Sequence, residues 1–340
     1  MTSLNLFIAN AVAGKSLTES EAEAAFEIIM SGDASPVQIA SFLTALAVRG
    51  ETVAEITGAA RIMRAKALPV KAPARAIYTC GTGGDASGTV NISTAVAIVV
   101  AACGVPVAKH GNRKASSKSG TADVLEALGV NLDATPDLVE RAIAETNIGF
   151  LFAQKHHSAM KHVGPVRAEL GIRTLFNLLG PLSNPAGAKR QLLGVFAADW
   201  VKPMAETLKA LGSERAWVVH GSDGLDELTV TGSSTVAELK DGIVSTFEIA
   251  PQDAGLSLHE ASSLKGGDPK DNAKALTALL DGTPGAYRDI VLLNSAAALI
   301  VADKVNDLKA GVDLAAAAID SGDAKATLAK FGAITRSESP

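Results

Sequence analysis

From residue 4 to about residue 67 the apolar positions recur at helical spacing, so this stretch predicts helices only. Thr18 and Glu21 form a capping-box pair that opens one helix. In ASPVQIASFLTALAVRG, Ser35 is the N-cap, Pro36 takes the first helical position and Gly50 ends the run. TVAEITGAARIMRAKA follows with the same periodicity. LPVKAPAR, with Pro69 and Pro73, reads as a linker into a different architecture.

From about residue 76 short apolar runs alternate with helices. Residues 76–80, 105–109, 148–152, 191–196 and 215–220 predict strands, and helices are expected near 93–103, 120–128, 136–145 and 201–211. That alternation favours a mostly parallel sheet covered by helices. STVAELKDGIVSTFEI instead predicts two strands joined through Asp241–Gly242 in a hairpin. The last hundred residues are mostly alanine-rich helix, with no convincing internal repeat. The fold class is therefore α/β, with a small N-terminal helical domain and a larger α/β domain.

Composition narrows the function classes. At 340 residues and 47% hydrophobic, the chain is long enough for two domains, or a large α/β domain with a smaller partner. A net charge of −5 argues against sequence-independent nucleic-acid binding, while leaving room for a local basic site. The two cysteines, Cys80 and Cys103, sit in apolar stretches without zinc spacing and read as buried small hydrophobes in a reducing cytosol. The N-terminal apolar run ends in an A-x-A-like AVA, but it lacks a basic n-region and runs straight into another amphipathic helix. No signal peptide is expected, and the expected location is cytoplasmic. The longest apolar run, residues 95–107, is too short to span a membrane and is broken by Gly104 and Pro106.

Four stretches carry candidate chemistry. GTGGDASGTVNIST, residues 81–94, follows a strand and opens a helix, yet fits neither the P-loop nor the dinucleotide pattern. Its glycines leave backbone N–H groups open to an anion, and Asn91, Ser93 and Thr94 start the next helix. On glycine count alone, an anion cradle and a plain strand-to-helix turn both stay open. KHGNRKASSKSGTADVLEALG, residues 109–129, gathers Lys109, His110, Arg113, Lys114 and Lys118 with several hydroxyls in an acidic chain. Two such loops at the carboxyl ends of neighbouring parallel strands face one crevice, where open α/β sheets bind ligands. In GSDGLDELTV the adjacent Asp226 and Glu227 suit Mg²⁺, which keeps most of its waters, although an acidic surface turn is the commoner fate of such a pair. Residues 156–187 hold His156, His157 and His162, without the carboxylate or thiolate spacing of a transition-metal site. The same stretch holds Arg167, whose fork suits a substrate carboxylate or a structural salt bridge.

Taken together, GTGGD…NIST, KHGNR…SSKSGTADVLEALG, VGPVRAELGIRTLFNLLGPLSNP and DGLDE resemble the signatures of the anthranilate phosphoribosyltransferase family of tryptophan biosynthesis, over essentially the whole chain. The resemblance implies a helical domain of residues 1–69, joined by helices from about 160–185, that forms a homodimer, and an α/β catalytic domain of residues 74–340. It further implies two Mg²⁺ ions per subunit and the substrates phosphoribosyl diphosphate and anthranilate, with no nucleic acid or membrane.

Position by position, the resemblance puts Gly81, Gly84 and Asp85 on the diphosphate sugar and Thr89, Asn91, Ile92, Ser93 and Thr94 on phosphate. Lys109, His110, Gly111, Asn112, Arg113, Lys114, Ala115, Ser116, Ser117 and Thr121 would wrap the ribose phosphates. Asp226 and Glu227 would hold one Mg²⁺, with Ser93 on another. Gly81, Asn112 and Arg167 would meet anthranilate. No residue is assigned as a nucleophile or base, and Lys109, His110 and Arg167 act by charge and position. Departures from the family pattern are Thr121 for serine, Val90 for phenylalanine, and Gln154 and Ser158 for prolines. A pyrimidine nucleoside phosphorylase of the same fold, or a non-catalytic phosphate binder, are the competing readings; KHGNR and DGLDE favour the transferase.

Overall fold

Each of the first four helices starts at a side-chain cap. They are α1 (Leu4–Val12), α2 (Glu19–Ser31), α3 (Pro36–Arg49) and α4 (Val53–Ala65). Thr18/Glu21, Ser35/Gln38 and Thr52/Glu55 close reciprocal capping boxes, which satisfy two orphan N–H groups each. The computed structural model describes residues 3–338, except Ala86 and residues 114–118. The segment that resembled a signal peptide is α1, and its Leu4, Phe7 and Ala11 are buried. Among the described residues no helix is long and apolar enough to cross a membrane.

The linker leads into β1 (Ile77–Gly81), α5 (Ile92–Ala102), β2 (Val107–Gly111), α6 (Thr121–Ala127), α7 (Pro136–Thr146) and β3 (Ile148–Phe152). After β3 come three short helices, α8 (Ala153–His156), α9 (Gly164–Leu170) and α10 (Phe176–Leu182). Then follow β4 (Arg190–Gly194), α11 (Val201–Ala210), β5 (Arg215–Gly221), β6 (Ser234–Lys240) and β7 (Ile243–Ile249). The chain closes with α12 (Pro269–Leu280), α13 (Ala286–Val301), α14 (Leu308–Asp320) and α15 (Asp323–Thr335). The strand expected at 105–109 lies two residues later, because Pro106 has no N–H for the ladder and contributes only its carbonyl, to Ile77 N. The hairpin turns at Asp241 and Gly242, both with positive φ, as a two-residue hairpin turn requires.

The seven strands run in the order β3-β2-β1-β4-β5-β6-β7, parallel from β3 to β5 and antiparallel through β6 and β7. From β1 the chain builds outward to β3, then returns to the other side of β1 with β4. The strand order therefore reverses between β1 and β4, where open α/β sheets bind ligands.

Successive strand residues face opposite sides of a sheet, and here each side has its own core. Ile77, Leu192, Trp217 and Val219 pack with α5, α13 and α14. Their neighbours Tyr78, Leu193, Ala216 and Val218 pack with α1–α4, α10 and α11. The N-terminal helices thus share one core with a face of the sheet, and the helical segments between residues 158 and 182 pack on α2, α3 and α4. The linker is pinned too, Leu68 N donating to His156 O and Val70 N to Pro185 O. Both cysteines are buried, and burial pushes Cys80 up to about 12 and Cys103 to about 11.

Glu55 is the one fully buried carboxylate among the described residues, and it ties the helical bundle together. It accepts from Leu17 N at 2.8 Å and from Thr52 N and Oγ1 at 2.9 Å each, and pairs with Arg49. Removing it strands several buried donors and a cation at once. Glu55→Ala is expected to destabilise the protein by about 3 kcal/mol, read as a lower denaturant midpoint. Glu27→Ala, which breaks an exposed pair with Lys66 and an exposed hydrogen bond from Ser31 Oγ, should move the midpoint little.

Candidate active site

Gly81 and Gly194 stand side by side in register at the carboxyl ends of β1 and β4. The loop that follows β5 folds back over them and sets residue 226 against both. A Cβ on Gly81 would run into the Asp226 carboxylate, and one on Gly194 into the Asp226 carbonyl. Gly83 N then donates to Asp226 Oδ2 at 2.7 Å. The sequence reading took the first glycine as room for an anion; its fixed requirement is room for Asp226. Gly83, Gly84 and Gly88 have positive φ, so they are needed for backbone shape.

Among the described residues carboxylates outnumber cations around this contact. Glu227 is buried and Asp226 half-buried. Burial first, and then the Asp85 charge, raises the Asp226 pKa. Burial and then Asp226 push Glu227 well above the usual carboxylate range, with Lys109 and the Ser93 backbone pulling back. Lys109 is 2% exposed and lies within β2, not on the loop after it. Its Nζ donates to Thr79 O at 2.6 Å and Ser93 Oγ at 2.9 Å. Burial lowers its pKa, while Cys80, Glu227 and Asp226 oppose that. The ammonium therefore braces Ser93 from beneath and balances the acid pair.

The start of α5 and the loop after β2 meet beside this cluster. Asn91 is the N-cap residue of α5, and Ile92 and Thr94 are buried. Thr94 Oγ1 reaches Thr121 Oγ1 at 3.4 Å, so the threonine that departs from the family's serine keeps its hydroxyl in contact. Thr89 pairs as an isolated bridge with Lys265. Gly111 ends β2 close against Thr121. Asn112 is exposed and its Oδ1 accepts from Gln154 Nε2 at 3.3 Å. Arg113 is engaged with Asp123 and Glu126 at 3.1 and 2.8 Å, so it contacts phosphate only by leaving exposed ion pairs. Lys114, Ala115, Ser116, Ser117 and Lys118 lie outside the described residues.

His110 projects from β2 to the other face of the sheet. It is buried among Tyr78 and His157, with ring centroids 6.1 and 5.1 Å away. Burial, then His157 and His156, hold its pKa well below 6.5, so the ring is neutral at pH 7 and supplies no charge. The Gly180 backbone approaches it, yet neither ring nitrogen makes a hydrogen bond of ordinary geometry among the described residues. On this same side Arg167 lies over the Phe176 ring at 5.3 Å. Among the described residues no carboxylate pairs with Arg167.

Sequence reasoning missed several residues that touch the glycine loop. Arg173 donates to Gly84 O and lies over the Phe196 ring at 4.5 Å. It stands inside the quoted GIRT segment, two residues past the turn that ends α9, and its charge was the available signal. Residues 264–266, Asn272 and Tyr287 also reach the loop, with no local motif to mark them. Of the other departures from the family pattern, Val90 is buried and donates its N–H to Leu264 O, and Ser158 opens a 3-10 turn.

Known proteins resemble the chain along nearly all of its length. Residues 74–325 match the glycosyl transferase family a/b domain, and residues 6–67 that family's helical bundle domain. Anthranilate phosphoribosyltransferases from Parvibaculum lavamentivorans and Azospirillum brasilense are 65% and 63% identical, covering 98% and 99% of this chain and 98% and 94% of theirs. The crystal structure of the Thermus thermophilus enzyme of that name superposes with a TM-score of 0.93 at 46% identity, covering 97% of this chain and 99% of that one. The Saccharomyces cerevisiae enzyme in complex with PRPP and Mg gives 0.89 at 29% identity, covering 98% and 97%. The chain is a transferase and belongs to the anthranilate phosphoribosyltransferase family.

Proposed function

We propose that the chain transfers the phosphoribosyl group of 5-phosphoribosyl 1-diphosphate to the amino group of anthranilate, giving N-(5-phosphoribosyl)anthranilate and diphosphate in tryptophan biosynthesis. The observation that carries this reading is the division of the site across the sheet. Gly83, Ser93, Lys109, Asp226 and Glu227 cluster where the strand order reverses, on the α5 side. Arg167, which pairs with no carboxylate among the described residues, lies on the other side. One side offers hydroxyls, backbone N–H groups and a helix start to a diphosphate; the other offers a guanidinium fork to a carboxylate.

The donor set fits Mg²⁺. Two neighbouring carboxylates with raised pKa are short of positive charge, and hard oxygen donors with room for water are what this ion takes. Asp226 and Glu227 would hold one ion and Ser93 would touch a second. Bound there, Mg²⁺ would supply charge neutralisation at the diphosphate leaving group. The protein's own part is binding and orientation. Anthranilate's aryl amine is neutral at pH 7 and needs no strong base before its nitrogen attacks C1. As the C1–N bond forms, the C1–O bond to diphosphate breaks, its electron pair leaves with diphosphate, and the amine proton is lost to water. In-line approach gives inversion at C1 through an oxocarbenium-like transition state. Backbone N–H groups of the glycine loop and the α5 start stabilise the developing charge, and holding both substrates in line supplies much of the rest. We further place the protein in the cytoplasm as a homodimer; exposed Val12 and Val48 on either side of an open apolar depression between α1 and α3 support the dimer.

Mixing the protein with anthranilate, phosphoribosyl diphosphate and Mg²⁺ should quench anthranilate fluorescence as it is consumed; no loss with folded protein would overturn the assignment. Arg167→Ala is expected to raise the anthranilate KM roughly thirtyfold, equivalent to about 2 kcal/mol, with the phosphoribosyl diphosphate KM unmoved. An unchanged anthranilate KM removes Arg167 from the site. Asp226→Asn combined with Glu227→Gln should move the midpoint of a Mg²⁺ titration of activity upward by at least about tenfold; an unaltered titration refutes the metal role.

A further inference from the structure

The second half of the glycine loop is fastened by residues from the far end of the chain. Val90 N donates to Leu264 O at 3.0 Å and Gly266 N to Gly88 O at 2.9 Å. A Cβ on Gly266 would come within 2.5 Å of Thr89 O, so the two segments touch backbone to backbone. Just beyond, Asn272 sits on the first turn of α12 and is 2% exposed. Its Oδ1 accepts from Gly267 N at 2.8 Å, and its Nδ2 donates to Asn91 Oδ1 at 2.8 Å. Ser119 Oγ is a second neighbour of that oxygen at 3.3 Å, and Tyr287 OH donates to Asn91 O at 3.1 Å.

The polarity of this chain of amides follows from one group. A backbone N–H can only donate, so Gly267 fixes which end of the Asn272 carboxamide is oxygen. The Asn272 amino group must then face Asn91, and because it only donates, Asn91 must present its oxygen. The Asn91 amino group is left as a donor, and among the described residues no acceptor takes it. A carboxamide turned the other way would show an anion its oxygen and repel it.

We propose that Asn272 is a positioning residue for the phosphate loop: it sets the Asn91 carboxamide with its amino group presented to the phosphoryl oxygens of the substrate. The proposal rests on phosphoribosyl diphosphate being that substrate. Asn272→Asp keeps the shape and the bond from Gly267 but places an acceptor against Asn91 Oδ1, which turns the Asn91 amide over. Asn272→Ala removes the pin without adding charge.

The test is a calorimetric titration of phosphoribosyl diphosphate in Mg²⁺ buffer, alongside the anthranilate KM and the melting midpoint. Asn272→Asp should weaken phosphoribosyl diphosphate binding by about tenfold or more and Asn272→Ala by roughly two- to tenfold, with the anthranilate KM unchanged. In an Asn91→Ala background neither substitution should weaken it further. An unchanged Kd, or an equal loss with and without the Asn91 side chain, overturns the proposal. Should Asn272→Asp fail to fold, Asn272→Ala and the cycle with Asn91→Ala carry the test alone. A wild-type protein that binds no phosphoribosyl diphosphate would defeat the functional reading and this proposal together; wild-type binding with an unresponsive Asn272 defeats this proposal only.

Discussion

The close approach of residue 226 to two glycines, Gly81 and Gly194, is the contact around which the site is built. It occurs at the one place in the parallel sheet where the strand order reverses, so no crossover helix covers it. Side chains at either glycine would push the 222–233 loop away from the sheet. With the glycines present, the loop lies flat, Asp226 takes the Gly83 N–H, and Glu227 comes under the start of α5. The glycine loop and the acid pair are thereby one unit, although 143 residues separate Gly83 from Asp226.

Electrostatics follows from that geometry. Asp226 and Glu227, with Asp85 beside them, share a single buried ammonium, which is itself divided between Thr79 O and Ser93 Oγ. Burying like charges is unfavourable, and cations bound beside them would relieve the imbalance. On the other face of the sheet the balance is opposite: Arg167 is partly buried with no carboxylate paired to it among the described residues, and His110 is kept neutral. Among the described residues the carboxyl ends of the strands are thus short of positive charge on one side and of negative charge on the other, which is the arrangement that the proposed reaction would use.

Much of this was legible in the chain. Local rules were enough for the capping box at Thr18, the N-cap at Ser35, the Asp241–Gly242 hairpin and the alternation of strands with helices. The grouping of Asp226 with the glycine loop followed from the family resemblance. What escaped depends on pairings far apart in sequence. The shared core of the N-terminal helices and the sheet is invisible to periodicity, since a helix shows which face is buried but not against what. Lys109 reads as loop charge, yet Pro106 delays β2 by two residues and draws it inside the sheet. Arg113 reads as a phosphate ligand, but Glu126 lies thirteen residues on, where α6 turns it back within reach. Asn272 carries no motif at all, and its contact with Asn91 spans 181 positions.

The claim that the glycine pair seats the acid pair is tested most directly by measuring phosphoribosyl diphosphate affinity against Mg²⁺ concentration for Gly194→Ala. The added methyl meets the Asp226 carbonyl, a backbone atom that cannot rotate aside. The account predicts a protein that still unfolds cooperatively but binds phosphoribosyl diphosphate at least about tenfold more weakly, with its dependence on Mg²⁺ displaced to higher concentration. Wild-type affinity with an unshifted Mg²⁺ dependence in the alanine variant would contradict it.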